Sequence, residues 1–138
     1  MTLRSVSKGV TGKWDGTFSY DHDYGPVTPF LAELEENSGA IGGKIIEPDA
    51  YHGSLVTLQA IVSGQRDGSM VSFIKTYGNA PEGYEFPVRY EGILSEDGLS
   101  ITGRWRLLLG SGNFEMHRDF TLEEEAEAEE LLEALLPG

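Results

Sequence analysis

Asp21, His22, Asp23 and Tyr24 form the densest cluster of chemically capable side chains in this chain, and His52 and His117 are its other histidines. These residue types could ligate a divalent cation, but a metal needs three or more ligands converging on one point. Neighbouring residues of a strand point to opposite faces, so Asp-His-Asp converges only where the strand has ended. His117 also falls on the outward side of its own run. No metal and no cofactor is expected; the cluster reads as loop decoration, with His22 and Tyr24 placed to touch a ligand. Nucleophilic catalysis needs a Ser or Thr beside a His that an acid orients, and no Ser or Thr stands in such a context. Glu36 and Glu47 could act as paired carboxylates if either faces inward, where an acid would equally suit the buried cation Arg118. The Gly-rich residues 39–44 lack the spacing and the following helix of a phosphate loop. They read instead as close strand packing. No catalytic residue is assigned; an enzyme with His22 or His52 as general base ranks behind the binding readings below.

The elements that must carry these residues are strands. Period-2 alternation predicts strands over residues 11–21, 28–37, 40–47, 54–65, 69–78, 85–95, 98–109 and 113–121. Turn residues separate them: Asn37-Ser38-Gly39, Asp67-Gly68, Asp97-Gly98 and Gly110-Ser111-Gly112. Asp-Gly between two alternating runs is a hairpin signal, because Gly tolerates positive φ. Eight sequential runs without intervening helices predict an all-β fold, an eight-stranded antiparallel up-and-down β-barrel, which also removes exposed edges.

Connection length divides the barrel into two ends. Alternate connections share an end, and those near 37–39, 66–68 and 96–98 are tight. Those near 22–27, 48–53 and 79–84 are longer and share their end with the short turn at 110–112. One end is therefore stitched and the other carries loops, and loops at a barrel mouth are where a site is expected. Inward phase gives Trp14, Phe18 and Tyr20 in the first run and Val56, Leu58, Ala60 and Val62 in the fourth. Val71, Phe73 and Tyr77 share a face with Lys75. Phe86, Val88 and Tyr90 point inward in the sixth run, Trp105 and Leu107 in the seventh, and Phe114, Met116 and Arg118 in the last. The expected ligand contacts toward the loop-bearing end are Tyr20, His22, Tyr24, His52, Tyr77, Phe86, Val88, Leu107 and Phe114. Trp14 and Arg118 belong to the opposite end.

The net charge is −13, and residues 121–138 hold seven glutamates with no Lys or Arg. Nucleic acid and anionic membranes, which need a basic footprint, are disfavoured as partners. Thr121-Leu122-Glu123-Glu124 fits a capping box, and the leucines that follow give a partial apolar stripe. Residues 1–121 are thus expected to form the barrel domain. Residues 122–138 form an acidic C-terminal helix or tail that either lies against the barrel or receives a partner. A second copy could pair through the barrel face or through this helix. Cysteine is absent, and the start of the chain lacks the apolar stretch of a signal peptide. No apolar run reaches the ~18 residues of a membrane span. A cytoplasmic protein is expected.

Gly12-Lys13-Trp14 on the first strand, together with an inward Arg118 on the last, resembles the calycin superfamily of lipocalins, fatty-acid-binding proteins and avidins. The shared mark is G-x-W with a basic side chain from the last strand packed over the indole at the closed end. Such a cation–π contact is worth roughly 0.5–2 kcal/mol. The stretches TGKWDGTF, NSGAIGGKI and ITGRWRLLLGSG follow the order of comparable stretches in avidin-like members. The resemblance covers about residues 11–121. It implies the barrel and the habit of holding a small apolar or amphipathic ligand. The polar ligand set of avidins has no counterpart at matching positions and the acidic tail is foreign to them, so biotin is not implied. The expected function is non-enzymatic binding of a small, largely apolar molecule at the open end. The alternative is a filled barrel that acts as an interaction module through its acidic helix.

Overall fold

The computed structural model describes residues 9–23, 25–49, 53–78, 84–119 and 122–135. Alternating apolar and polar residues produce eight strands: β1 (Gly12–Tyr20), β2 (Thr28–Asn37), β3 (Ala40–Asp49), β4 (Gly53–Asp67), β5 (Met70–Tyr77), β6 (Val88–Leu94), β7 (Ser100–Leu107) and β8 (Gly110–His117). Each pairs antiparallel with the next, and β8 returns to β1, so the sheet is a closed eight-stranded barrel. A C-terminal helix, α1 (Leu122–Leu135), follows. No helix among the described residues is long and apolar enough to cross a membrane.

The inward phases hold over most of the barrel. Trp14, Phe18, Phe30, Ala32, Leu34, Ile41 and Ile45 are buried, as are Leu58, Ala60, Val62, Val71 and Phe73. Val88, Tyr90, Ile101, Trp105, Phe114 and Met116 complete the interior. Val56 departs from the expectation, at 48% exposed. The ladder between β4 and β5 begins only at Ala60, so the start of β4 overhangs the wall and Val56 has no interior to face.

Three other boundaries differ from the sequence expectation. The sixth strand starts at Val88 rather than at 85, because Pro87 has no N–H to give a ladder. Phe86 therefore precedes the strand and is 57% exposed instead of pointing inward from it. The third strand continues through Pro48 to Asp49, with a register shift between them. The turn between β7 and β8 is made by Leu108 and Leu109, not by Gly110-Ser111-Gly112, which are in the ladder opposite Leu107, Arg106 and Trp105. Gly112 is needed there for its missing side chain: a Cβ would stand 1.7 Å from the Ser19 carbonyl oxygen.

The stitched end is sealed by side chains. The Arg118 guanidinium lies 4.4 Å from the centroid of the Trp14 ring. It donates to the carbonyls of Gly98 (2.9 Å), Thr11 (2.7 Å) and Gly9. The Trp14 indole N–H donates to the Val10 carbonyl at 2.9 Å. These contacts tie the entry to β1, the turn between β6 and β7 and the exit of β8 into one plug. The carboxylate suggested by the sequence for Arg118 is not its partner in these bonds; carbonyl oxygens take that place. Glu36 instead accepts from Arg66 Nε (2.7 Å) and Nη2 (2.8 Å) and from the Val10 N–H (3.1 Å). The Arg66 bonds hold its carboxyl below the ordinary range against the opposing effect of burial.

With Val10, Ile101 and Met116 already fully enclosed at this end, there is little apolar area left for a helix to cover. The expectation that α1 packs on the barrel is accordingly not met: residues 126–135 are exposed, and Leu131, Leu132 and Leu135 are 60–72% exposed. Thr121, the expected N-cap, lies outside the described residues.

Candidate functional site

The loop-bearing end opens into a cavity of about 690 Å³, within the range of ordinary ligand pockets. Of the residues singled out from sequence, Tyr20, His22, Tyr77, Phe86, Val88 and Leu107 line it. Phe114 does not; it is buried beneath, with its ring 5.0 Å from that of Tyr90 and 6.4 Å from that of Phe73. Tyr24 and His52 lie outside the described residues. Gly12, Trp14 and Arg118 are at the opposite end.

The aromatic wall is set by strand phase and by a few hydrogen bonds. Phe18 and Tyr20 alternate inward on β1, and the Trp105 ring packs edge-on against both, with centroids 6.0 and 5.1 Å away. The Trp105 indole N–H donates to the Ser19 carbonyl at 2.9 Å, the oxygen that bare Gly112 lets approach. Here the chain uses a backbone clearance to fix a side-chain ring. Around the mouth, Asp21 accepts from Arg104 through both carboxylate oxygens (2.9 and 2.7 Å) and from Ser111 Oγ (2.7 Å). Arg104 and Ser111 draw the Asp21 pKa far below the carboxylate range. The Asp-His-Asp segment is a single 3-10 turn, with His22 at φ 60°. It is thus a corner pinned by Asp21. Among the described residues no group of His, Asp and Glu is arranged to hold a metal ion.

The floor is polar, and its two central groups were absent from the expected contacts. Lys75 and Glu47 are 1% and 2% exposed, and Lys75 Nζ donates to Glu47 Oε1 at 2.7 Å. The ammonium lies 4.9, 4.7 and 5.2 Å from the ring centroids of Phe18, Tyr77 and Tyr90. Burial alone would lower the Lys75 pKa, but Tyr90 and Glu47 outweigh it and hold the pKa above the ordinary lysine value. The ammonium therefore stays charged and is no nucleophile. Tyr77 donates to Glu47 Oε2 at 2.9 Å. Burial, then the nearby Glu47 charge, pushes its phenol pKa far up, so it remains a neutral donor. Tyr84 donates to Asp49 Oδ1 at 3.0 Å and packs its ring 5.0 Å from that of Tyr77. The extra length of β3 thus adds Asp49 to Glu47 as a second buried acid, each anchoring a tyrosine of the cavity wall.

Both floor residues carried a signal in sequence. Lys75 is in phase with Val71, Phe73 and Tyr77, and Glu47 with Ile41 and Ile45. A lone charge in core phase weakens a strand reading; two such charges of opposite sign point to a buried pair. No family model matches the chain, and no match is found among curated proteins.

Proposed function

We propose that the protein is a non-enzymatic carrier or sensor of one small, largely apolar molecule, held at the open end of a calycin-like barrel. The observation that carries this reading is the cavity of about 690 Å³, walled by Phe18, Tyr20, Trp105 and Tyr90 over a floor whose charges are already paired. A filled barrel would have no such space, and a catalytic pocket would have an acid or base free to exchange protons. Here the one lysine at the floor is held protonated and the phenol of Tyr77 is held neutral. An ammonium has three donors. Glu47 and Tyr90 engage two, leaving one for an acceptor atom at the inserted end of a ligand. The stacking of Arg118 on Trp14 supports the calycin-like reading. It gives the cavity a rigid base, as small-barrel binders require.

Native mass spectrometry of protein isolated from its own cells tests the proposal, read beside titration with the fluorescent apolar probe N-phenyl-1-naphthylamine. A bound species of a few hundred daltons, or saturable probe binding that adding side-chain volume at Val88 abolishes, is the expected result. A bare mass together with no saturable probe binding overturns it.

A second reading rests on α1, where Leu131, Leu132 and Leu135 are exposed within a segment that holds seven glutamates. Capture of a partner that is lost on deletion of residues 122–138, with probe binding absent, would favour that reading instead.

A further inference from the structure

The outer wall formed by β4 and β5 departs from the acidity of the molecule. The chain has 23 acidic residues against 10 Lys and Arg. Yet residues 57–65 of β4 include no charged side chain, and residues 72–76 of β5 hold only Lys75, which is buried in the interior. Ile61 and Ile74 face outward there, 66% and 41% exposed. Ile61 is opposite Thr76 and Ile74 opposite Ser63, so the two isoleucines are diagonal neighbours about 7–8 Å apart. The flanking strands each add a cation: Lys44 of β3 is opposite Ile61, and Arg89 of β6 is opposite Ile74. Across four strands the wall is thus an apolar ridge between two positive borders. Lys44 pairs with Glu33 at 3.3 Å, with both side chains about half exposed or more, and such a surface pair exchanges at little cost.

The helix α1 carries the matching pattern. Ala128, Leu131, Leu132 and Leu135 recur at spacings of three and four and share one face. The 3.6-residue period puts Glu127 and Glu129 on the two flanks of that face. A helix is about 10–12 Å wide, and Lys44 and Arg89 are three strand spacings of about 4.8 Å apart, so each acidic flank meets one basic border. The helix of the same chain does not reach this seat. In the closed barrel β8 is on the side opposite β4. Eight strands at that spacing close into a wall roughly 16 Å across, and a helix lying on the far side adds about 10 Å. Arg118 is fixed in the plug by its bonds to Gly98, Thr11 and Gly9, and the four steps from it to Leu122 span at most about 14 Å.

From this we infer that α1 docks on the β4–β5 wall of a second copy of the chain, its leucines on Ile61 and Ile74 and its glutamates against Lys44 and Arg89. The exchange is reciprocal: each copy gives a helix and receives one, which closes a two-fold pair. Between chains of net charge −13, this approach sets acid against base. Each barrel is closed without the helix, so the exchange bears on assembly rather than on the stability of a single barrel. The inference gives α1 an occupant and does not depend on the carrier reading.

Sedimentation velocity of the intact chain across the micromolar range tests it. The intact chain should sediment with the mass of two copies. Deletion of residues 122–138, Ile61→Glu and Leu131→Glu should each return the mass of one. Both substituted sites are exposed, so these variants keep the fold. A mixture of the Ile61→Glu and Leu131→Glu chains retains one sound seat, the helix of the first on the wall of the second, and should pair although neither variant pairs with itself. Lys44→Glu with Arg89→Glu should weaken pairing about tenfold at low salt, and adding Glu127→Lys and Glu129→Lys to the same chain should recover it. A single-chain mass for the intact protein at every concentration overturns the inference and leaves the carrier reading standing. So does a pair that survives either the deletion or Ile61→Glu, and so does a mixture that stays at single-chain mass.

Discussion

The two ends of the barrel each bury a cation against aromatic rings, and they use it in opposite ways. At the stitched end Arg118 covers Trp14 and directs its donors to three backbone carbonyls in two separate segments, Gly9 and Thr11 before β1 and Gly98 before β7. Its effect is to fasten chain to chain. At the open end Lys75 sits among Phe18, Tyr77 and Tyr90, but its counter-charge is the single carboxylate of Glu47 and it borders a space. A guanidinium has five donors in a fixed fork, whereas an ammonium has three that rotate. The first suits a permanent clamp. The second suits a floor against which different acceptors can settle.

The largest effect is expected from breaking the floor pair unevenly. Lys75→Met leaves Glu47 buried without its cation and should cost about 3–5 kcal/mol in urea unfolding. The double variant Lys75→Met/Glu47→Leu should recover much of that, because removing both charges also removes their desolvation. A double variant as unstable as the sum of the singles would show that the two do not act as a pair.

Arg118→Met at the other end should cost about 3 kcal/mol, from carbonyls stripped of their donors and the lost stacking on Trp14. A second side-chain substitution should not restore the bonds to Gly98, Thr11 and Gly9, since their acceptors are backbone carbonyls. Retention of wild-type stability would mean the plug does not fasten the barrel.

Acid and alkali should separate the ends. The Glu36 pKa is lowered in the folded state. Its contribution is therefore present above the unfolded value of about 4.3 and lost as pH falls through the lower folded value. The Lys75 pKa is raised, so its contribution is full below the unfolded value of about 10.4 and lost as pH rises through the higher folded value. Unfolding free energies across pH should lose part of their acid slope in Glu36→Gln and part of their alkaline slope in Lys75→Met. The reverse assignment would contradict the comparison.

The smallest effect belongs to α1. Deletion of residues 122–138 should change barrel stability by less than about 0.5 kcal/mol, as for other exposed positions. A larger loss would show that the helix supports the stitched end.

Much of this was legible in the residues alone. Alternation marked all eight strands, and Asp67-Gly68 and Asp97-Gly98 marked two of the tight turns, because both signals are local. Trp14 and Arg118 were legible together because the barrel brings the first and last strands into contact. Phe86 was misplaced because a missing N–H at Pro87 outweighed apolar phase. The Gly110–Gly112 stretch read as a turn, yet it serves a close approach between β8 and β1, a contact that no local pattern records. The pairing of Lys75 with Glu47 was hidden for a similar reason. Each charge alone argues against burial; their shared core phase and opposite signs hint at a pair, and the structure brings Lys75 Nζ to Glu47 Oε1 in the barrel interior.

The ladder between β1 and β8 has a consequence for how the protein is made. Residues 12–20 are made well before residues 110–117, which supply half of their pairing partners. Until then β1 has one open edge, and the indole of Trp14 waits for a guanidinium a hundred residues downstream. Closure therefore waits on the synthesis of β8, which turns a sheet with an unpaired edge into a sealed one. Nascent chains stalled before β8 should be the species that molecular chaperones hold.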